Sequence, residues 1–204
     1  FSKVPKDENE LIRPAVEGTL RALKAANNAG IKRVVLTSSM VAMLGDIIGN
    51  ENITETSWTN TNVKNATAYL KSKTLAEKSA WDFVKDKPME LVTIHPGPVY
   101  GPSLSNNLSG ESMTLFKRLI TGELKQMINA SINMSDVRDV AKIHVQAIEN
   151  EQAAGQRFIV ATEKAHSYRE ITTLLKEKGY EKVGTGVAPN FIVKILAIFN
   201  DEMK

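Results

Sequence analysis

The stretch RVVLTSS, residues 33–39, decides how the rest of the chain is read. It is a short run of β-branched and apolar residues that ends in three hydroxyls. Its length and composition suit a strand buried on both faces, as in a parallel sheet. Upstream, DENELIRPAVEGTLRALKAANNAG (7–30) has Leu11, Ile12, Ala15, Val16, Leu20, Leu23 and Ala26 at helical spacing, with Gly30 as the stop. Downstream, a polar loop runs through residues 46–65 to ATAYLKSKTLAEKSAW (66–81), where Leu70, Leu75, Ala76, Ala80 and Phe83 are expected to form one helical face.

A second apolar run, MELVTIHPGPVYGP (89–102), predicts a strand over 91–94. Prolines and glycines should turn the remainder into an ordered loop at its carboxyl end. The pattern then predicts a helix over 112–121, a short strand near Ile132, and a helix in SDVRDVAKIHVQAIEN (135–150) capped by Ser135 or Asp136. A strand in QRFIVAT (156–162), a helix after Ser167 and an apolar helix over 191–199 complete it. Strands alternating with helices imply an α/β fold, a doubly wound parallel sheet with right-handed crossovers.

Composition narrows the function classes. The net charge of +3 comes from interspersed signs, and no run of like charge or basic aromatic stripe asks for nucleic acid. No apolar run approaches the roughly 20 residues that span a bilayer. With no cysteine there is neither a disulfide framework nor a thiol nucleophile, so a reducing, cytoplasmic setting is expected. His95, His144 and His166 stand apart from any carboxylate cluster at ligand spacing, and no metal is expected.

Open α/β sheets bind ligands at the carboxyl ends of their strands. The first strand ends in Thr37, Ser38 and Ser39, and the second in HPGPVYG (95–101). Between them, Tyr69 and Lys73 stand four residues apart and so share a helix face. A cation beside a phenol favours its ionised form and prepares it for proton transfer. The spacing alone is common: four tyrosines in a lysine-rich chain give about 0.4 such pairs by chance. Its weight comes from the serines before it and the proline/glycine loop after it.

In that order, VVLTSSMVAMLGD, YLKSKTLAEKSAWDF, VTIHPGPVYGPS and MSDVRDVAKIHVQAI resemble the extended short-chain dehydrogenase/reductase family of epimerase/dehydratase type. The resemblance covers nearly the whole chain. It is nearest to the branch of dihydroflavonol reductase, cinnamoyl-CoA reductase and microbial aldehyde/ketone reductases.

The resemblance implies a Rossmann-like fold and an oxidoreductase that uses NADP, or NAD, to reduce a small carbonyl substrate. It implies Tyr69 as general acid, Lys73 as the cation that poises it and binds the nicotinamide ribose, and Ser39 as the hydroxyl that holds the substrate oxygen. Pro96 to Val99 would lie against the nicotinamide. Alternatives in view are a nucleotide-sugar epimerase or dehydratase and a non-catalytic NAD(P)-sensing module. Membrane and nucleic-acid partners are not expected, and the protein should be a monomer or homodimer.

The chain departs from the family in two places. Ala15 stands where many members have an asparagine, and no G-x-x-G-x-x-G occurs. The chain therefore reads as an internal portion of a longer protein, with the N-terminal strands of the sheet missing. Residues 1–110 are expected to carry the remaining Rossmann-like part and the catalytic residues. Residues 111–204 should form mainly a small C-terminal substrate-binding lobe, with a strand and helix near 132–149 returning to the main domain.

Overall fold

The computed structural model describes residues 5–46, 52–64, 66–105 and 109–189. In chain order it contains α1 (Asn9–Asn28), β1 (Arg33–Thr37), a 3-10 turn (Met40–Ala42), α2 (Ala68–Val84), β2 (Glu90–Pro96), β3 (Val99–Tyr100), α3 (Glu111–Ile120) and β4 (Gln126–Met127). There follow β5 (Ser131–Ile132), β6 (Ser135–Asp136), α4 (Val137–Glu149), a second 3-10 turn (Glu151–Ala153), β7 (Arg157–Val160), β8 (His166–Ser167), α5 (Tyr168–Glu177) and β9 (Gly186–Val187). The expected helix over 191–199 lies outside the described residues.

Two compact units divide these elements. The first, residues 5–97 with 138–160, is built on a parallel sheet of order β1-β2-β7. The alternation of side chains along the central strand β2 builds a core on each face. Leu91 points with Val34 and Leu36 toward Leu23 of α1 and Ala80 of α2. Val92 and Ile94 point with Val35 toward Ala147, Val140 and Ile143 of α4. Each fully buried side chain of this size contributes roughly 1.5–3 kcal/mol, so β2 is the energetic centre of the unit.

α1 ends as the sequence predicts. Gly30 takes φ 70°, while its N–H and that of Ile31 reach back to the carbonyls of Asn27 and Ala26. This paired arrangement satisfies the last turn and requires a left-handed residue that glycine adopts without strain.

β2 differs from its expectation of 91–94 by continuing through His95 and Pro96. The Ser38 N–H donates to the carbonyl of Ile94, so alternate residues of β2 face β1 from that point. The missing N–H of Pro96 therefore points past the end of β1 at Thr37, where no ladder bond is lost. On the other side Pro96 keeps register with Val160.

The face of α2 differs too. Leu70 and Leu75 are only half-buried, and the buried side is made of Ala68, Ser72, Thr74, Ala76, Glu77 and Ala80. Small residues allow the helix to approach its neighbours closely, and the glutamate among them is the subject of the site below.

The second unit, among its described residues 98–137 and 161–189, is held by two-residue strand pairs. β3 pairs in parallel with β6, β4 in parallel with β9, and β5 antiparallel with β8. Ser135 and Asp136, expected as a helix cap, form β6 directly before α4. The helix after Ser167 starts as expected, with a full capping box between Ser167 and Glu170. Gly184 is required by close packing: a Cβ there would stand 2.2 Å from the carbonyl oxygen of Lys125.

Candidate active site

Thr67 begins the site by accepting the Leu70 N–H on its hydroxyl at 3.3 Å, which caps α2. Tyr69 is thus in the first helical turn and Lys73 in the next. The Lys73 ammonium lies 5.9 Å from the centre of the Tyr69 ring, and both side chains are half-buried. Lys73 has no carboxylate within ion-pair distance among the described residues. Its neighbour Lys71 instead pairs with Glu8 at 2.7 Å.

Ser39 follows β1 in an extended conformation and caps the 3-10 turn, its hydroxyl accepting the Val41 N–H at 3.4 Å. Thr59, buried, clamps this turn by donating to the Val41 carbonyl and accepting from the Leu44 N–H. Pro96 is buried at the end of β2. Ser39, Tyr69, Lys73 and Pro96 all belong to the first unit; Ser39 and Pro96 lie at the carboxyl ends of β1 and β2, and Lys73 lines the same small cavity as Thr37 and Ser38. Val99, the other expected cofactor contact, lies on β3 in the second unit.

One turn beyond Lys73 sits Glu77, 1% exposed. Its carboxylate accepts from five donors: Ser38 Oγ at 2.6 Å, His95 Nε2 at 2.7 Å, Arg157 Nε at 2.8 Å, Trp81 Nε1 at 3.2 Å and Thr93 Oγ1 at 3.3 Å. Burial by itself would push this carboxyl up. The hydrogen bond and charge of His95, then the hydrogen bonds of Arg157 and Ser38, outweigh burial and hold it at about 2. Arg157 extends the network by donating to the carbonyls of Glu55 and Ser57 while its guanidinium stacks 3.8 Å from the centre of the Trp58 ring.

Sequence reading expects His95 as a packing or hydrogen-bonding residue, and the structure gives it that role at 0% exposure. Ser38, expected as a strand-end residue, is the strand-end donor to Glu77. Glu77 itself was legible only as a faint signal, an acid four and eight residues after Lys73 and Tyr69 among small side chains.

Between α1, β1 and α2 lies a cavity of about 100 Å³ lined by Ala15, Thr19, Thr37, Ser38, Lys73 and Glu77. A larger hollow of about 410 Å³ lies between α4 and β7, lined mostly by apolar groups such as Ile143, Ala147 and Phe158. The smaller space is the chemically relevant one because Lys73 and Glu77 both face it. No cluster of three metal-ligating side chains occurs among the described residues. No described helix is long and apolar enough to cross a membrane.

A sequence model of the NAD dependent epimerase/dehydratase family matches residues 4–161. A cinnamoyl-CoA reductase of Medicago truncatula is 36% identical over 187 residues, which cover 87% of this chain and 55% of that protein. An anthocyanidin reductase of Vitis vinifera is 36% identical over 170 residues, 76% of this chain and 50% of that protein. The chain thus spans about half the length of the curated relatives it matches. Among solved structures, the yeast methylglyoxal/isovaleraldehyde reductase Gre2 complexed with NADPH superposes with a TM-score of 0.78 at 28% identity, covering 89% of this chain and 60% of that one. A UDP-glucose 4-epimerase of Thermotoga maritima shares the fold, with a TM-score of 0.73 at 20% identity, covering 90% of this chain and 59% of that one.

Proposed function

Because the chain belongs to the NAD dependent epimerase/dehydratase family, we propose that it is the catalytic portion of an NADPH-dependent reductase of small aldehydes or ketones. The observation that carries this reading is the Tyr69–Lys73 pair, an ammonium 5.9 Å from a phenol ring and free of described carboxylates. The named reductases among its relatives support the reaction class.

The donor set fits the nicotinamide end of the cofactor. Lys73 has donors available for a ribose hydroxyl, and Pro96 would supply part of the wall against the ring. The glycine-rich cradle for the pyrophosphate is not in these 204 residues. NADPH, with NADH as the second choice, would supply the hydride.

The chain's own residues manage the proton. Tyr69 holds it at Oη and donates it to the substrate carbonyl oxygen as negative charge develops there. Ser39 donates a hydrogen bond to the same oxygen and fixes its direction. The phenolate left on Tyr69 is balanced by the Lys73 ammonium, whose charge is not spent on any described acid. A positioned general acid contributes typically 10²–10⁴-fold.

The second unit would form most of the substrate-binding lobe. The whole protein would act in a cytoplasmic, reducing setting as a monomer or homodimer. The test is NADPH oxidation by the full-length protein with methylglyoxal, isovaleraldehyde and a cinnamoyl thioester. Turnover that disappears in Tyr69→Phe supports the reading, and turnover unchanged in that variant sinks it. Cofactor that stays bound without net oxidation would favour the family's epimerase chemistry instead.

A further inference from the structure

We infer that Glu77 is a positioning residue for this reaction, the post that holds Ser39 and Pro96 in register with Tyr69 and Lys73; the inference rests on the reductase reading. Three features of the network carry it. First, Glu77 lies on the same helix as the acid and its cation, at successive steps of four residues, so it moves rigidly with them. Second, its two shortest bonds go to Ser38 and His95, the residues immediately before Ser39 and Pro96. One carboxylate thus ties the catalytic helix to the ends of both strands that carry the remaining candidate groups.

Third, the arrangement is poorly explained by stability alone. A buried ion pair is often matched or bettered by apolar residues of the same volume. Here the ionic solution also leaves His95 Nδ1 and Arg157 Nη2 buried without a hydrogen-bond partner among the described residues. Five donors from α2, β2, β7 and the residue that follows β1 converging on one acid specify a geometry. Misplacement by about 1 Å costs on the order of 100-fold in a reaction that depends on near-attack alignment.

The test separates positioning from simple structural support by removing two donors of the same carboxylate. Ser38→Ala removes the bond next to Ser39, and Thr93→Val removes one in mid-strand. In the full-length protein, Ser38→Ala is expected to lower kcat about tenfold and to speed amide hydrogen exchange over residues 39–43 by a similar factor. Binding of NADPH, followed by fluorescence, should change less than about twofold.

Thr93→Val, which removes the longest of the five bonds, should lower kcat far less than Ser38→Ala and leave exchange over 39–43 near wild type. Glu77→Gln should reproduce the Ser38→Ala changes more strongly; should it fail to fold, Ser38→Ala decides alone. Equal effects of Ser38→Ala and Thr93→Val, or wild-type exchange over 39–43 in Ser38→Ala, would overturn the proposal. Absence of Tyr69-dependent turnover in the unmodified protein would count against the reductase reading instead, and the exchange measurement would still decide whether Glu77 holds the turn.

Discussion

Within α2, the turn that carries Tyr69 and Lys73 and the turn that carries Glu77 are only a few ångströms apart, yet their polar groups are treated in opposite ways. Lys73 is half-buried and has no described carboxylate partner. Glu77 is sealed from water and accepts from five side chains. Charge left unspent is available to a reacting molecule, whereas charge fully matched inside the protein can only hold shape. On the proposed reading, the first of these turns does the chemistry and the second supports it.

The comparison would break most visibly at Tyr69. Removing its hydroxyl in Tyr69→Phe is expected to lower kcat by 10²–10⁴-fold while leaving the melting temperature nearly unchanged. A steady-state assay beside a thermal melt checks both; a large loss of stability with intact turnover would reverse the assignment of the two turns.

Glu77→Ala should lower stability as well as kcat, costing about 3–5 kcal/mol in a urea titration because Arg157 is left buried without its anion. Acid supplies a gentler form of the same cut. The folded value of about 2 lies below the ordinary 4.5, so the stabilisation is complete above pH 4.5 and is lost as pH falls toward 2. The loss is about 3 kcal/mol, and the wild-type advantage over Glu77→Gln should shrink across that window in urea titrations.

The smallest effect is expected in the second unit. Ser167→Ala removes the cap of α5 and should cost about 1 kcal/mol without changing kcat. A change in turnover there would show that support for the site is less local than the Glu77 network implies.

Much of the fold was legible in the residues. The strand in 33–39, the helices around it and the Gly30 stop follow from local periodicity and glycine's access to positive φ. The capping box at Ser167 and Glu170 follows in the same way. The paired strands of the second unit were harder: apart from the short strand expected near Ile132, two residues carry no period. Their pairing is visible only once distant segments meet. Pro96 misled for a related reason, since the cost of a missing N–H depends on whether a neighbouring strand reaches that far.

Local patterns in the residues carry the order of α1, β1, α2, β2, α4 and β7, the family resemblance, and the spacing that puts Tyr69 and Lys73 on one helix face. These are local properties, written in patterns of two, four and seven residues. Only the tertiary structure decided that Glu77 is a buried anchor rather than one more surface acid. Its donors come from positions 38, 81, 93, 95 and 157, and four of the five reach it from outside α2. The free energy of burying a carboxylate depends on those partners, and no local pattern around residue 77 contains them.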